Sequence, residues 1–341
     1  MRRGSCASGR GRGGLRSRPH SPPRGWAISS GDYGGVGVGG IATAGGIGFL
    51  GREHGLTIDH VRAVELVLAD GGAVRASAED NPDLFWAARG AGGNVGVATA
   101  FEFVAEEVGD VGWVQLAFDA SDLEAFLEGW GRAQKAAPRE VTTFVIVSRP
   151  VPGQPTIAQL YGVIDQAEPD TIIERLQPFA DLAPLVQQQV QVTSYAAVMN
   201  NVQPGPHRGQ GEPIARSGLL RRLTPEVVAD LSRFLREGSA PFFQLRAVGG
   251  AIADVPAEAT AYAHRDAAVS IAALGTSRAG LDAAWDRFVH PHLEGLYVSF
   301  ESDPRPERID DAFPPATLER LRVIKARYDP TGLFRDNFPL G

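Results

Sequence analysis

From residue 61 onward the apolar and polar positions fall into runs that read as short strands and amphipathic helices. Residues 61–69 (VRAVELVLA) have near-continuous β-rich character, and Asp70-Gly71-Gly72 separates them from a second strand at 73–76, a hairpin signal. Asn81 as N-cap and Pro82 at the first helical position open a helix through Ala88. A strand near 95–104 comes next. Beyond residue 110 the pattern predicts strands at 113–118, 141–148, 157–164, 186–194, 242–248, 267–274 and 296–300, and helices at 121–136, 170–180, 224–236, 279–290 and 315–327. Ser121 and Glu124 form a capping box for the first of these helices, and Thr224-Pro225-Glu226 opens another. Strands outnumber helices and alternate, so the class is α+β, with an antiparallel sheet covered by helices on one face.

Composition sets the outer bounds. A chain of 341 residues, 43% hydrophobic, supports one large or two moderate domains. No apolar run approaches the ~20 residues of a membrane span, and no signal peptide is recognisable, so a cytoplasmic protein is expected. A net charge of −7 argues against nucleic acid as a partner. The sole cysteine, Cys6, excludes a disulfide framework or a thiolate metal site, and His290 and His292 around Pro291 read as solvent-facing. No metal is expected.

Residues 1–25 stand apart, with seven Arg and no acid among Gly, Ser and Pro. The segment cannot bury a core and is expected to be disordered. A basic arm and a targeting peptide are alternatives, but the composition fits GC-rich DNA read out of frame. The first 28 residues are therefore set outside the fold.

Glycines carry the candidate chemistry. Residues 35–40 (GVGVGG) satisfy G-x-G-x-x-G, yet the segment before them is short and polar, and the segment after them is broken by Gly45, Gly46, Gly48 and Gly51. A Rossmann site needs a buried strand before and a smooth helix after, so the nicotinamide reading fails on context. A loop whose backbone N–H groups face a phosphate fits better, with the 90–96 loop as a second such element. The alternative on composition alone, less favoured, is that these glycines mark sharp turns in a small β-rich domain.

Residues 35–61 (GVGVGGIATAGGIGFLGREHGLTIDHV), 67–77 (VLADGGAVRAS), 81–99 (NPDLFWAARGAGGNVGVAT) and 101–103 resemble the second half of the FAD-binding domain of the p-cresol methylhydroxylase and vanillyl-alcohol oxidase superfamily. The similarity is closest to berberine bridge enzyme-like oxidases. It continues through GGAIADV (249–255), Ala263-His264-Arg265, Tyr297 and the terminal YDPTGLFRDN (328–337). The resemblance implies a partial FAD-binding domain over 29–109, a substrate domain over 110–310 and a C-terminal segment, 311–341, returning to the flavin. The domain boundary is placed near residues 108–111. Such enzymes usually begin with a further subdomain whose glycine-rich loop ends in a flavin-linking His. His20, in a Ser/Pro context, is not taken as that ligand, so the front of the flavin domain is read as missing.

The resemblance also implies a site. Backbone around Val36, Gly37, Val38, Gly39 and Gly40, with Gly45 and Gly46, should line the flavin diphosphate. Asn94, Gly96 and Val97 should lie along the cofactor, and Asn337 should touch it. Tyr297 matches the active-site tyrosine of a Tyr-x-Asn pattern whose third position here is Ser299, and it is expected to act in acid–base chemistry. Tyr33 stands where bicovalent members carry Cys, which excludes a second flavin link. Ser270 is the only polar group in the strand where other members often carry a stronger acid–base residue. His264 and Arg265 are expected to hold a loop. The implied function is an FAD-dependent oxidase, with an alcohol, sugar or other hydroxyl-bearing metabolite and O2 as its small-molecule partners and hydrogen peroxide as product. A non-catalytic remnant that binds FAD poorly is the alternative.

Overall fold

A computed structural model describes residues 4–9, 25–200, 214–238, 240–303, 305–335 and 338–340, and arranges them around two antiparallel sheets. The first sheet contains β1 (Gly4–Gly9), β2 (Trp26–Ala27), β3 (Val61–Val67), β4 (Ala73–Ser77) and β5 (Val97–Glu107), in the order β1-β5-β3-β4 with β2 also on β5. Asp70 closes the β3–β4 hairpin, its carboxylate accepting from the Gly72 N–H at 2.8 Å. Because Gly4–Gly9 and Trp26–Ala27 both pair with β5, the expectation that residues 1–28 lie outside the fold is corrected for those two segments; 10–24 lie outside the described residues. The short helices α1 (Val38–Ala44) and α2 (Gly51–His54) lie between β2 and β3, and α3 (Pro82–Ala91) between β4 and β5.

The chain passes from β5 into β6 (Asp110–Asp119) and the second sheet, with β7 (Val141–Ser148), β8 (Ile157–Ile164), β9 (Leu185–Ser194), β10 (Ile214–Leu220), β11 (Phe242–Ala247) and β12 (Val269–Gly275). The order is β10-β12-β11-β7-β8-β6-β9. Helices α4 (Leu123–Ala136), α5 (Pro169–Ala180), the short α6 (Tyr195–Met199), α7 (Pro225–Glu237), the short α8 (Ala251–Asp254) and α9 (Arg278–Phe288) complete this half; α10 (Ile309–Ala312) and α11 (Pro315–Tyr328) come last. Side-chain alternation sorts the two faces. Val145 and Val147 of β7 join a core with Trp130 of α4, Phe179 of α5, Phe234 of α7 and Trp285 of α9, whereas Phe144 beside them points the other way.

That other face forms a seam with the first half of the chain. Phe49 stacks on Phe144 with centroids 4.6 Å apart and meets Trp113 edge-on at 5.3 Å. Burying a phenylalanine in this way contributes about 1.5–3 kcal/mol. Buried Arg52 staples the seam by donating to the carbonyls of Val141 (3.0 Å), Ala137 (3.0 Å) and Val248 (3.2 Å); Ala137 is the C-cap of α4, where a cation meets the helix dipole. A third core joins α3 and α11 to β3 and β5 and takes in Phe338 and Leu340, which brings the C-terminus back to the first sheet.

Several local expectations are corrected. Asp122, not Ser121, caps α4, accepting from Ala125 N–H at 3.1 Å, because the Ser121 hydroxyl turns to Asp119. Asn81 sits at φ 49° and sends its amide to the Arg75 carbonyl at 2.8 Å, so it makes no side-chain cap. Residues 296–300 form no strand; only Gly295 bridges Leu219, and Val298–Phe300 is a turn of 3-10 helix. The strand β10 was not expected. Its buried Arg216 and Ser217 break the apolar alternation, and Arg216 is buried only because Glu301 and Asp282 pair with it at 2.9 and 2.6 Å.

Candidate active site

The glycine segment follows the 31–34 loop and runs into α1. A Cβ placed on Gly37, Gly39 or Gly40 would meet nothing within 4 Å, so this backbone faces open space. Three large apolar side chains are left uncovered in the glycine segment and at the start of β5: Tyr33 (45% exposed), Val36 (40%) and Val97 (54%). Val38 shares that segment as the first residue of α1.

Gly45 and Gly46 serve a different purpose. The Gly45 N–H donates to Ile41, and the Gly46 N–H donates to the Tyr297 hydroxyl at 2.8 Å. Gly46 has φ 93°, and a side chain there would overlap Thr57. Their donors are therefore taken up within the protein, as is the Val36 N–H, which donates to the Tyr33 carbonyl at 3.2 Å, and this narrows the expected diphosphate cradle to 37–40. The 90–96 loop is likewise spent on packing. Gly90, at φ 136°, lies against the Tyr262 backbone; Gly92 abuts Thr43, and Gly96 is buried where a side chain would press on the Val67 carbonyl.

Asn94 at the end of that loop is fully buried, and neither its Oδ1 nor its Nδ2 has a partner among the described residues. Its backbone carbonyl is held at 2.9 Å by the ammonium of Lys325 on α11, which also reaches Asp329 at 2.6 Å and the Phe334 carbonyl at 2.5 Å. Asp329 in turn accepts from the N–H groups of Leu333 and Phe334, both at 2.8 Å. The 328–334 motif is thereby latched onto Asn94. Asn337 lies outside the described residues.

Tyr297 is 1% exposed. Its N–H donates to Ser217 at 3.0 Å, and its ring meets Phe300 and Tyr262 edge-on at 5.2 and 6.2 Å. Burial pushes the phenol pKa up, against the pull of Ser299, the Gly46 and Ile47 amides and the charge of Arg246. Next to it stands a cluster that motif reading missed: Arg246 on β11, bonded to Asp32 of the 31–34 loop at 3.0 Å and to Gln244 at 2.6 Å. The available signal was Gln244 and Arg246 at alternate positions of an otherwise apolar strand. Arg265 grips Asp59 with two bonds of 2.8 and 2.9 Å, and His264 reaches the Ala312 carbonyl at 3.2 Å, which makes both loop-holding residues. His290 and His292 pair separately with Asp311 and Asp230.

No family model matches the sequence. A carbohydrate oxidase of Microdochium nivale is 30% identical over 354 residues, covering 91% of this chain and 69% of that protein. The chain belongs to the berberine bridge enzyme-like family of FAD-linked oxidoreductases. A xylooligosaccharide oxidase of Thermothelomyces thermophilus is 28% identical over 348 residues, 90% of this chain and 68% of the relative. In structure, the Microdochium nivale carbohydrate oxidase bound to a substrate analogue superposes with a TM-score of 0.79 at 25% identity, over 99% of this chain and 77% of that one. The BBE-like 1 protein of Physcomitrella patens reaches a TM-score of 0.82 at 21% identity, over 93% and 73%, and shares the fold.

The residues present fit FAD. The 37–40 backbone is uncovered, as N–H donors to an anionic diphosphate must be, and the orphaned Asn94 amide lacks the partner that a buried amide requires. Among the described residues, no helix is long and apolar enough to cross a membrane.

Proposed function

We propose that the protein is a flavin oxidase that takes hydride from a hydroxyl-bearing carbon of an alcohol, foremost a sugar, with O2 as final acceptor and hydrogen peroxide as product. The observation that carries this reading is the Tyr297 phenol, anchored on the Gly46 N–H between the open glycine segment and the seam face of the second sheet. When bound, FAD supplies the hydride acceptor. The chain's own residues supply the rest. Backbone N–H groups of 37–40 hold the diphosphate, the Asn94 amide meets the cofactor, and exposed Val97 lies beside it. Tyr297 exchanges the proton of the reacting hydroxyl.

A sugar suits the sheet face. Gln115 and Tyr161, both only partly buried, sit side by side across β6 and β8, and Trp113 stacks on Tyr161 at 6.3 Å. Amides beside aromatic rings match a ligand with hydroxyls at its edge and apolar C–H groups on its faces. The relatives named above as carbohydrate and xylooligosaccharide oxidases support the same class.

The test is anaerobic mixing of the flavin-loaded protein with a panel of neutral mono- and oligosaccharides and simple alcohols. The expected result is bleaching of the oxidised flavin band, then, on admission of air, its return and one peroxide per turnover. A flavin that no member of the panel bleaches would overturn the reading.

A further inference from the structure

Beside Tyr297 the sheet carries polar atoms that the flavin reading leaves unused. Arg246 is 4% exposed. Its Nε and Nη2 lie 3.0 and 2.9 Å from Asp32 Oδ2, and Nη2 also donates to Gln244 Oε1 at 2.6 Å. The Gln244 amide completes the triangle by donating to Asp32 at 3.2 Å. Phe300 covers the guanidinium, with its ring centroid 4.1 Å from Cζ, and the same ring touches Tyr297 at 5.2 Å. Nη1 of Arg246 has no partner among the described residues, nor has Oγ of the fully buried Ser270.

These two orphans are neighbours. Arg246 and Ser270 face each other directly in the β11–β12 register, so both side chains leave the same side of the sheet with Cβ atoms about 4.5–5.5 Å apart. The next residues in that row are Phe144 on one flank and Leu219 on the other, and neither can satisfy a guanidinium or a hydroxyl. An unpaired guanidinium donor and an unpaired hydroxyl, side by side and walled by apolar groups, are an incomplete hydrogen-bond set.

We propose that Arg246 Nη1 and Ser270 Oγ grip one oxygen of the substrate beside Tyr297, and that Asp32 restricts this subsite to a neutral hydroxyl by cancelling the guanidinium charge. The assignment rests on the sugar-oxidase reading. A hydroxyl fits both atoms, because it accepts from Nη1 and donates to Oγ. A carboxylate offers acceptors only and would oppose Asp32 across the same guanidinium. Asp32 comes from the loop that leads into the glycine segment, so the selecting charge is delivered from the flavin side of the seam.

The test compares glucose and cellobiose with their C6 uronic acids on the flavin-loaded protein, by calorimetric binding and by the rate of flavin bleaching. Wild type should favour the neutral sugars. Asp32→Asn exposes the guanidinium charge and should raise uronic-acid affinity by about tenfold or more relative to the neutral sugar. Ser270→Ala removes a hydroxyl that pairs with nothing among the described residues, so it should leave the melting temperature unchanged or higher while weakening neutral-sugar binding by about two- to tenfold. That variant decides the matter if Asp32→Asn folds poorly. Wild-type sugar binding with an unchanged neutral-to-acid ratio in Asp32→Asn, or unchanged affinity in Ser270→Ala, would reduce the cluster to a strut between sheet and loop. Failure of the wild type to bind any of the neutral sugars would instead overturn the substrate class itself.

Discussion

The backbone N–H of Gly46 donates to the phenolic oxygen of Tyr297 at 2.8 Å, across 251 positions of chain. This bond ties the segment after the glycine cradle to the last turn before the C-terminal helices. With the ring held by its packing, the bond also orients the hydroxyl hydrogen, since the oxygen is an acceptor from Gly46.

Tyr297→Phe should therefore slow flavin reduction by roughly 10²–10⁴-fold, the range for loss of an acid–base group. Flavin content should be unchanged, because the ring still fills its place. The rate in wild type should climb with pH through the alkaline range, since burial holds the phenol protonated above its ordinary pKa. Anaerobic stopped-flow reduction measures both, and a substitution without effect on reduction would make Tyr297 a packing residue.

Much of this architecture was legible in the chain. The strand runs of β7 and β8 fall at the residues the pattern gives, because both are β-rich enough to be buried along nearly their whole length. Thr224 caps α7 as its sequence context implies, accepting from Val227 N–H at 3.3 Å. The failures share a cause. β10 was missed, and residues 296–300 were read as a strand, where buried ion pairs and turns replace apolar periodicity. Arg216, Glu301 and Arg308 are all buried there, held by each other's charge. Within the site, glycine content pointed to the right segments but could not divide their labour. Gly39 and Gly46 look alike in sequence, and only the structure shows one facing open space and the other pressed on Thr57. Arg246 and Lys325 went unnoticed because their partners, Asp32 and Asn94, are more than two hundred residues away.

The seam should respond to alkali. His54 Nε2 lies 2.7 Å from Asp165, joining α2 to the turn after β8. Burial pulls the imidazole pKa down, but Asp165, with Glu53 and Glu106, outweighs it and leaves the value raised. A raised folded pKa means that the stabilisation is full below the unfolded value of about 6.5 and is lost as pH rises through the folded pKa. Asp165→Asn should thus lower the melting temperature clearly at pH 6 and progressively less by pH 9. A gap that does not narrow with pH would show that the pair contributes only a neutral hydrogen bond.

The C-terminal latch should respond to acid. For Asp329, burial pushes the pKa up, but Lys325 and the N–H groups of Phe334 and Leu333 overcome this and hold it at about 2. Its contribution is present above the unfolded pKa of about 3.9 and disappears as pH falls through the folded value. Asp329→Asn leaves the Lys325 ammonium buried without its counter-charge and should cost about 3–5 kcal/mol at neutral pH, the range for breaking a buried pair. Denaturant melts of both proteins from pH 7 to pH 2 should converge at the acid end. Curves that stay parallel throughout would mean that Asp329 acts through its backbone alone.

The sharpest division lies between two glycines. Gly90 has φ 136°, and its Cα faces the Tyr262 backbone so closely that any Cβ would overlap it. Gly90→Ala should destabilise by about 1–3 kcal/mol from backbone conformation alone, with the overlap added. Gly39 lies within α1 with open space around it, so Gly39→Ala should raise stability by about 0.5–1 kcal/mol. Yet if 37–40 is the diphosphate cradle, the same methyl group stands where the phosphate approaches, and FAD affinity should fall although the protein melts higher. Fluorescence titration of FAD against the two variants separates the effects. A Gly39→Ala protein that is more stable and still binds FAD at full strength would move the diphosphate elsewhere.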